Sequence, residues 1–172
     1  MSVTLVLGGA RSGKSRYAQH AAEVWAQDRG VVPTFIATAT AGDEEMSDRI
    51  ERHRTDRGAD WRTLEAPLAL AEALAGLEPR DAAVVDCLTL WLSNSMADET
   101  GHDQRMAAII PALAACRARL WLVSNEVGWG IVPDNALARR FRDEAGRLHQ
   151  AIAETAHEVQ LIVAGLPLRL KG

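Results

Sequence analysis

With 172 residues, 48% of them hydrophobic and 24% charged, the chain has the size and composition of one globular domain with a sizeable core. A formal net charge of −4 argues against a general nucleic-acid binder, and no apolar run approaches membrane-spanning length. Cys87 and Cys116 lie far apart with no metal-ligand spacing, and the N-terminus enters a strand with no signal-like segment, so two reduced thiols and a cytoplasmic location are expected.

In chain order, apolar β-like runs fall at 3–7, 32–37, 82–86, 119–124 and 159–164, with helical patterns between most of them. That alternation predicts an α/β fold, one domain over 1–172, with a parallel sheet covered by helices on both faces. The runs at 82–86 and 120–124 are short and nearly all apolar, as expected of strands buried on both sides.

The first run leads into Gly8-Gly9-Ala10-Arg11-Ser12-Gly13-Lys14-Ser15, the pattern G-x-x-x-x-G-K-S, followed at once by a helical pattern. Strand, glycine-rich loop and helix together form a phosphate-binding loop. Its glycines let backbone N–H groups turn inward around phosphate oxygens, and the helix N-terminus adds partial positive charge. Lys14 can reach the β- and γ-phosphates, and the Ser15 hydroxyl can ligate Mg²⁺. A glycine-rich turn that binds nothing is the alternative, and the agreement of motif with context favours the phosphate site. Lys14 and Lys171 are the chain's only lysines among 19 Lys and Arg. The single internal lysine therefore sits where a compact ammonium differs most from a guanidinium.

Segment 43–57 begins acidic and ends basic, the polarity that a helix dipole favours. If it is helical, Arg49, His53 and Arg57 share a face, where cations would depress the imidazole pKa and leave a neutral nitrogen nucleophile. On spacing alone, the segment reads as a solvated, ion-paired helix with an incidental histidine. Asp86 ends the run at 82–86, where an acid in a phosphate-loop fold sits near the nucleotide's Mg²⁺. An ordinary strand-end aspartate is the rival reading.

Segment 98–118 is ambiguous, with Gly101 as a break and Pro111 either kinking or opening a helix. Segment 124–134 follows a buried-type strand, at the carboxyl edge where open α/β sheets bind ligands. Asn125 and Glu126 there could orient nucleotide, metal or substrate, and Gly128 and Gly130 around Trp129 suggest a mobile apolar flap. A plain strand-to-helix connection fits equally well. The clearest helix follows, with Asp134 as the expected N-cap and Leu137, Phe141, Ala145, Leu148 and Ile152 on one face. Arg139/Asp143 and Arg140/Glu144 are its i,i+4 pairs. His20, His102, His149 and His157 read as structural or surface residues, with His102 in a glycine-containing loop.

Taken together, these segments resemble the bifunctional adenosylcobinamide kinase / adenosylcobinamide-phosphate guanylyltransferase family. The resemblance runs through the phosphate loop, Ile36-Ala37-Thr38, Arg49-Ile50-x-x-His53-Arg54 and Trp61-Arg62-Thr63-x-Glu65. It continues through Asp86-Cys87-Leu88-Thr89, Asn125-Glu126-Val127-Gly128-x-Gly130-Ile131-Val132-Pro133 and Phe141-Arg142-Asp143-x-Ala145-Gly146-Arg147. The phosphate loop alone is shared by many families, whereas the combination is specific. The resemblance implies a phosphate-loop NTPase fold with a RecA-like sheet, assembled as a homotrimer. It implies phosphorylation of the aminopropanol hydroxyl of adenosylcobinamide, then transfer of GMP from GTP to adenosylcobinamide phosphate.

On that resemblance, GMP is carried on His53, which reverses the reading from spacing, with Lys14 as the second catalytic residue. It carries nucleotide contacts over to Gly8, Gly9, Ala10, Arg11, Ser12, Gly13, Lys14, Ser15, Ala37, Thr38, Ala39, Arg54, Thr55, Asp56, Arg57, Glu65 and Asp86. Mg²⁺ falls to Ser15 and Asp86, with GTP and ATP as the nucleotides. The base for the alcohol is not assigned, and Glu126 and Asp86 are candidates. A kinase of another small metabolite would share the loop and Asp86 without needing His53. A nucleotide-switched regulatory module would bind triphosphate without transferring any group.

Overall fold

The computed structural model describes residues 2–40 and 60–172. Seven strands form one sheet in the order β3-β2-β4-β5-β1-β6-β7. They are β1 (Ser2–Gly8), β2 (Thr34–Ala37), β3 (Arg62–Glu65), β4 (Ala82–Asp86), β5 (Arg119–Asn125), β6 (Glu158–Val163) and β7 (Leu166–Lys171). All pair in parallel except β7, which returns antiparallel on β6.

Of the strands read from sequence, four match closely and the run at 32–37 starts only at Thr34, after Pro33. Two further strands escaped the apolar-run criterion. β3 is four residues of mostly exposed side chains, and β7 holds Pro167 on an edge where a missing N–H costs no ladder bond.

Helices α1 (Lys14–Gln27), α2 (Leu70–Ala75), α3 (Leu88–Ala97), α4 (His102–Ala115) and α5 (Ala136–Thr155) cover the sheet. Helix α1 lies on one face, packing Ala18, Ala22 and Ala26 against Val6, Val84 and Val123. Alanines at i, i+4 and i+8 let the helix come close to the strands. On the other face, Leu70, Leu74, Leu88, Trp91, Leu113, Leu148 and Ile152 from the remaining helices bury Leu5, Val85 and Leu122. Trp91 is a core residue whose Nε1–H donates to the Leu68 carbonyl at 3.0 Å.

Helix α5 keeps the expected apolar face at Ala145, Leu148 and Ile152, but Leu137 is exposed and the N-cap is Asn135 rather than Asp134. The Asn135 side-chain oxygen accepts from the N–H groups of Leu137 and Ala138, the role one residue earlier could not fill. The Arg140–Glu144 pair forms at 2.7 Å. Arg139 instead donates to the carbonyls of Pro133 and Asp134, and Asp143 pairs with Arg142. Residue 102 starts α4 rather than lying in a loop, and Pro111 is inside that helix. His102 is buried between Ser95 Oγ (3.0 Å) and Glu144 Oε2 (2.7 Å).

Candidate active site

The phosphate loop leaves β1 at Gly8, on the carboxyl edge of the sheet. A Cβ on Gly8 would lie 2.5 Å from Ser12 Oγ and 2.7 Å from the Ile162 carbonyl, so only glycine lets the loop fold back against β6. Arg11 and Gly13 both have positive φ, at 57° and 95°. Gly13 caps α1 without any side-chain hydrogen bond, and the first turn of α1 holds no acidic residue. The free N–H groups and dipole of the helix are therefore available to an anion. Ser12 Oγ is buried without a hydrogen-bond partner among the described residues, the kind of polar atom that a phosphate oxygen would satisfy. Lys14 is buried, and its ammonium donates to the Gly9 carbonyl at 3.2 Å, folded over the loop.

The β6–β7 turn braces the loop from the side. Ala164 and Gly165 both have positive φ, as a two-residue turn between right-twisted strands requires. The Gly165 N–H donates to the Ser12 carbonyl at 2.8 Å. This contact was not read from the sequence.

The other candidate residues stand along the same edge. Strand register puts Glu65, Ala37 and Asp86 in one row across β3, β2 and β4. At about 4.8 Å per strand, the row from β3 to β1 extends about 19 Å. Ala39 is half-buried just beyond β2. Thr38 is fully buried, and its hydroxyl donates to the Cys87 carbonyl (2.7 Å) and accepts from the Cys87 N–H (2.8 Å). Asn94 Nδ2 holds the Thr38 carbonyl at 2.8 Å. The Thr38 side chain therefore fixes the position of Asp86 and Cys87. Thr38→Val is expected to strand the buried Cys87 N–H at a cost of about 1–3 kcal/mol, read as a fall of several degrees in Tm. An unchanged Tm would count against the clamp.

Burial, reinforced by neighbouring Asp86, pushes the Cys87 thiol above its usual range, so it stays protonated and is no nucleophile. Asn125 Nδ2 donates to Thr89 Oγ1 at 3.0 Å, and the Glu126 N–H donates to the Gly8 carbonyl at 3.0 Å. Asn125 thus ends β5, the strand between β1 and β4, and Glu126 is the first residue beyond it. Beyond them Trp129 is 73% and Ile131 97% exposed. His53, Arg54, Thr55, Asp56 and Arg57 lie outside the described residues, as does Arg49.

Ser15 and Asp86 are the pair expected to hold Mg²⁺. No group of three or more His, Cys, Asp or Glu among the described residues could hold a metal ion alone. One hydroxyl and one carboxylate suit a hard cation that takes its other ligands from phosphate and water.

Residues 4–170 match the model of the family described as cobinamide kinase / cobinamide phosphate guanyltransferase. The chain belongs to this family. It is 51% identical over 171 residues to the bifunctional adenosylcobalamin biosynthesis protein CobP of Pseudomonas aeruginosa, covering 98% of this chain and 96% of that one. It is 41% identical to the Salmonella typhimurium protein of the same description, CobU, covering 97% and 98%. The flagellar accessory protein FlaH of Methanocaldococcus jannaschii shares the fold alone, with a TM-score of 0.54 at 15% identity over 99% of this chain and 78% of that one. Family membership accounts for a nucleotide-binding loop at the sheet edge, within a RecA-like phosphate-loop fold.

Of the two expected readings of His149, structural or surface, the structure shows the structural one. It is buried on α5 and hydrogen-bonds Ser124 Oγ through Nε2 at 2.7 Å, while Nδ1 lies 3.4 Å from Glu126 Oε1. The available signal was its place on the apolar side of α5, four residues after Ala145 and three before Ile152. A histidine there must find partners.

Proposed function

We propose that this chain phosphorylates the aminopropanol hydroxyl of adenosylcobinamide with a nucleoside triphosphate, then transfers GMP from GTP to the product, giving adenosylcobinamide-GDP. The observation that carries this reading is a fully formed phosphate loop, with Ser12 Oγ left for an anion, on a chain matched to the family from residue 4 to 170. Residues 8–15 hold the triphosphate, with Lys14 opposite the charge that develops on the departing phosphates. Ala37, Thr38, Ala39, Glu65 and Arg54 to Arg57 hold the rest of the nucleotide. Ser15 and Asp86 would hold Mg²⁺, which would supply charge neutralisation at the phosphates. His53 attacks the α-phosphorus of GTP, pyrophosphate leaves, and the acceptor phosphate then displaces the histidine, splitting one transfer into two displacements.

The assembly is a homotrimer in the cytoplasm, with no nucleic-acid partner. Exposed Leu166, Leu168 and Leu170 on β7 support association between copies, and the net charge of −4 supports the lack of a nucleic-acid partner. No helix among the described residues is long and apolar enough to cross a membrane.

The test is intact mass after incubation with GTP, Mg²⁺ and pyrophosphatase, beside chromatography of adenosylcobinamide phosphate. An acid-labile gain of one GMP together with a phosphorylated corrinoid is expected. Phosphorylation without the adduct would leave a kinase alone, and neither product would leave a nucleotide-binding module.

A further inference from the structure

The base that activates the corrinoid alcohol is not assigned by the family pattern, and the buried line Ser124–His149–Glu126 bears on it. Ser124 is fully buried in β5, and His149 is buried on α5 among Ala145, Leu148 and Ile152. Hydrophobic residues would fill this helix-to-sheet contact at lower cost than an imidazole and a hydroxyl that both need partners. The line ends at Glu126, whose backbone is tied to Gly8, the first residue of the phosphate loop. Its backbone is therefore anchored at the loop's edge, past the end of the strand that lies between β1 and β4, while its carboxylate meets His149 Nδ1 at 3.4 Å. Burial holds His149 below its ordinary pKa, against the opposing pull of Glu126, so the ring carries one proton. A carboxylate can only accept, so Glu126 Oε1 at 3.4 Å favours the tautomer with the proton on Nδ1, in which Nε2 accepts from the Ser124 hydroxyl.

We propose that Glu126 accepts the proton of the aminopropanol hydroxyl in the kinase step, and that His149, locked by Ser124, is a positioning residue that aims its carboxylate. This inference rests on the kinase reading above. The alcohol oxygen forms a bond to the γ-phosphorus. The bond from that phosphorus to the β–γ bridging oxygen breaks, and the nucleoside diphosphate leaves with the electron pair. The hydroxyl proton passes to a Glu126 oxygen and from there to solvent on product release.

Two replacements at 149 separate aiming from packing. Asn is smaller than His but can place an amide N–H where Nδ1–H stood, whereas Phe fills the space and donates nothing. Glu126→Gln is expected to lower kcat for adenosylcobinamide phosphorylation by about 100-fold or more. His149→Phe is expected to lower it by about 10- to 100-fold, the range for partners that orient a functional group. The KM for nucleotide and the GTP-dependent mass adduct should then change by less than about threefold, and His149→Asn should recover most of the rate. The double variant Glu126→Gln/His149→Phe should be no slower than Glu126→Gln alone, because both changes remove one function.

A Phe variant faster than the Asn variant, multiplicative losses in the double variant, or equal loss of the adduct would each overturn the proposal. Should the His149 variants fail to fold, Ser124→Ala decides: a several-fold lower kinase kcat with the adduct retained supports it, and an unchanged kcat overturns it. Unmodified protein that forms neither product overturns the functional reading itself, and that result is obtained before any variant is made.

Discussion

His53→Ala is expected to abolish the GMP-carrying form of the protein and, with it, adenosylcobinamide-GDP formation. An imidazole nitrogen is the one group assigned to attack the α-phosphorus, and Cys87, the buried thiol beside Asp86, is held protonated. Without the histidine, two phosphate esters of like charge would have to react directly, which the two-step route avoids. Loss of a covalent nucleophile removes most of an enzyme's rate, so a fall on the order of 10⁴-fold or more is expected in GMP transfer. Intact mass should show no adduct under conditions that fully label the unmodified protein. Phosphoryl transfer to the alcohol needs no covalent carrier, so the variant should still make adenosylcobinamide phosphate. Normal yield of adenosylcobinamide-GDP from this variant would end the covalent mechanism.

Lys14→Ala should damage both reactions together. The ammonium is buried over the loop and held by the Gly9 carbonyl. Preset charge in a water-poor site is worth more than the same charge in solvent, and one such donor typically accounts for about 10²–10³ in kcat. The kinase and guanylyltransferase rates should each fall by that much, and nucleotide affinity should fall in calorimetric titration. Lys14→Arg should not rescue, because a planar guanidinium cannot take the folded path of the lysine stem in a buried position. Unchanged turnover and GTP affinity in Lys14→Ala would remove the phosphate loop from the chemistry.

Local sequence carried the parts of this molecule that local physics decides. Strands buried on both faces are almost uninterrupted apolar runs, so β1, β4, β5 and β6 could be read directly, and the phosphate loop follows from its glycines and its place between strand and helix. Strand β3 could not, because it is short and exposed and its partner β2 is remote in sequence, and β7 could not, because it is an exposed edge strand interrupted by Pro167. The same limit hid the Thr38–Cys87 clamp, whose members are separated by 49 residues. It also hid the His149–Ser124 contact across 25 residues. Asn135 displaced Asp134 as the cap of α5 because two adjacent residues of equal capping ability differ only in where the chain turns.

The Gly165–Ser12 hydrogen bond makes the end of the chain a gauge of the nucleotide loop. Docking of the β6–β7 hairpin and the shape of the loop form one equilibrium. Any free energy that hairpin docking adds to ligand affinity must be returned by the ligand to the hairpin. Strand β7 is the edge of the sheet, fully exposed along its length. Its amide protons should therefore exchange more slowly once a triphosphate is bound, although none of its side chains is assigned to the ligand.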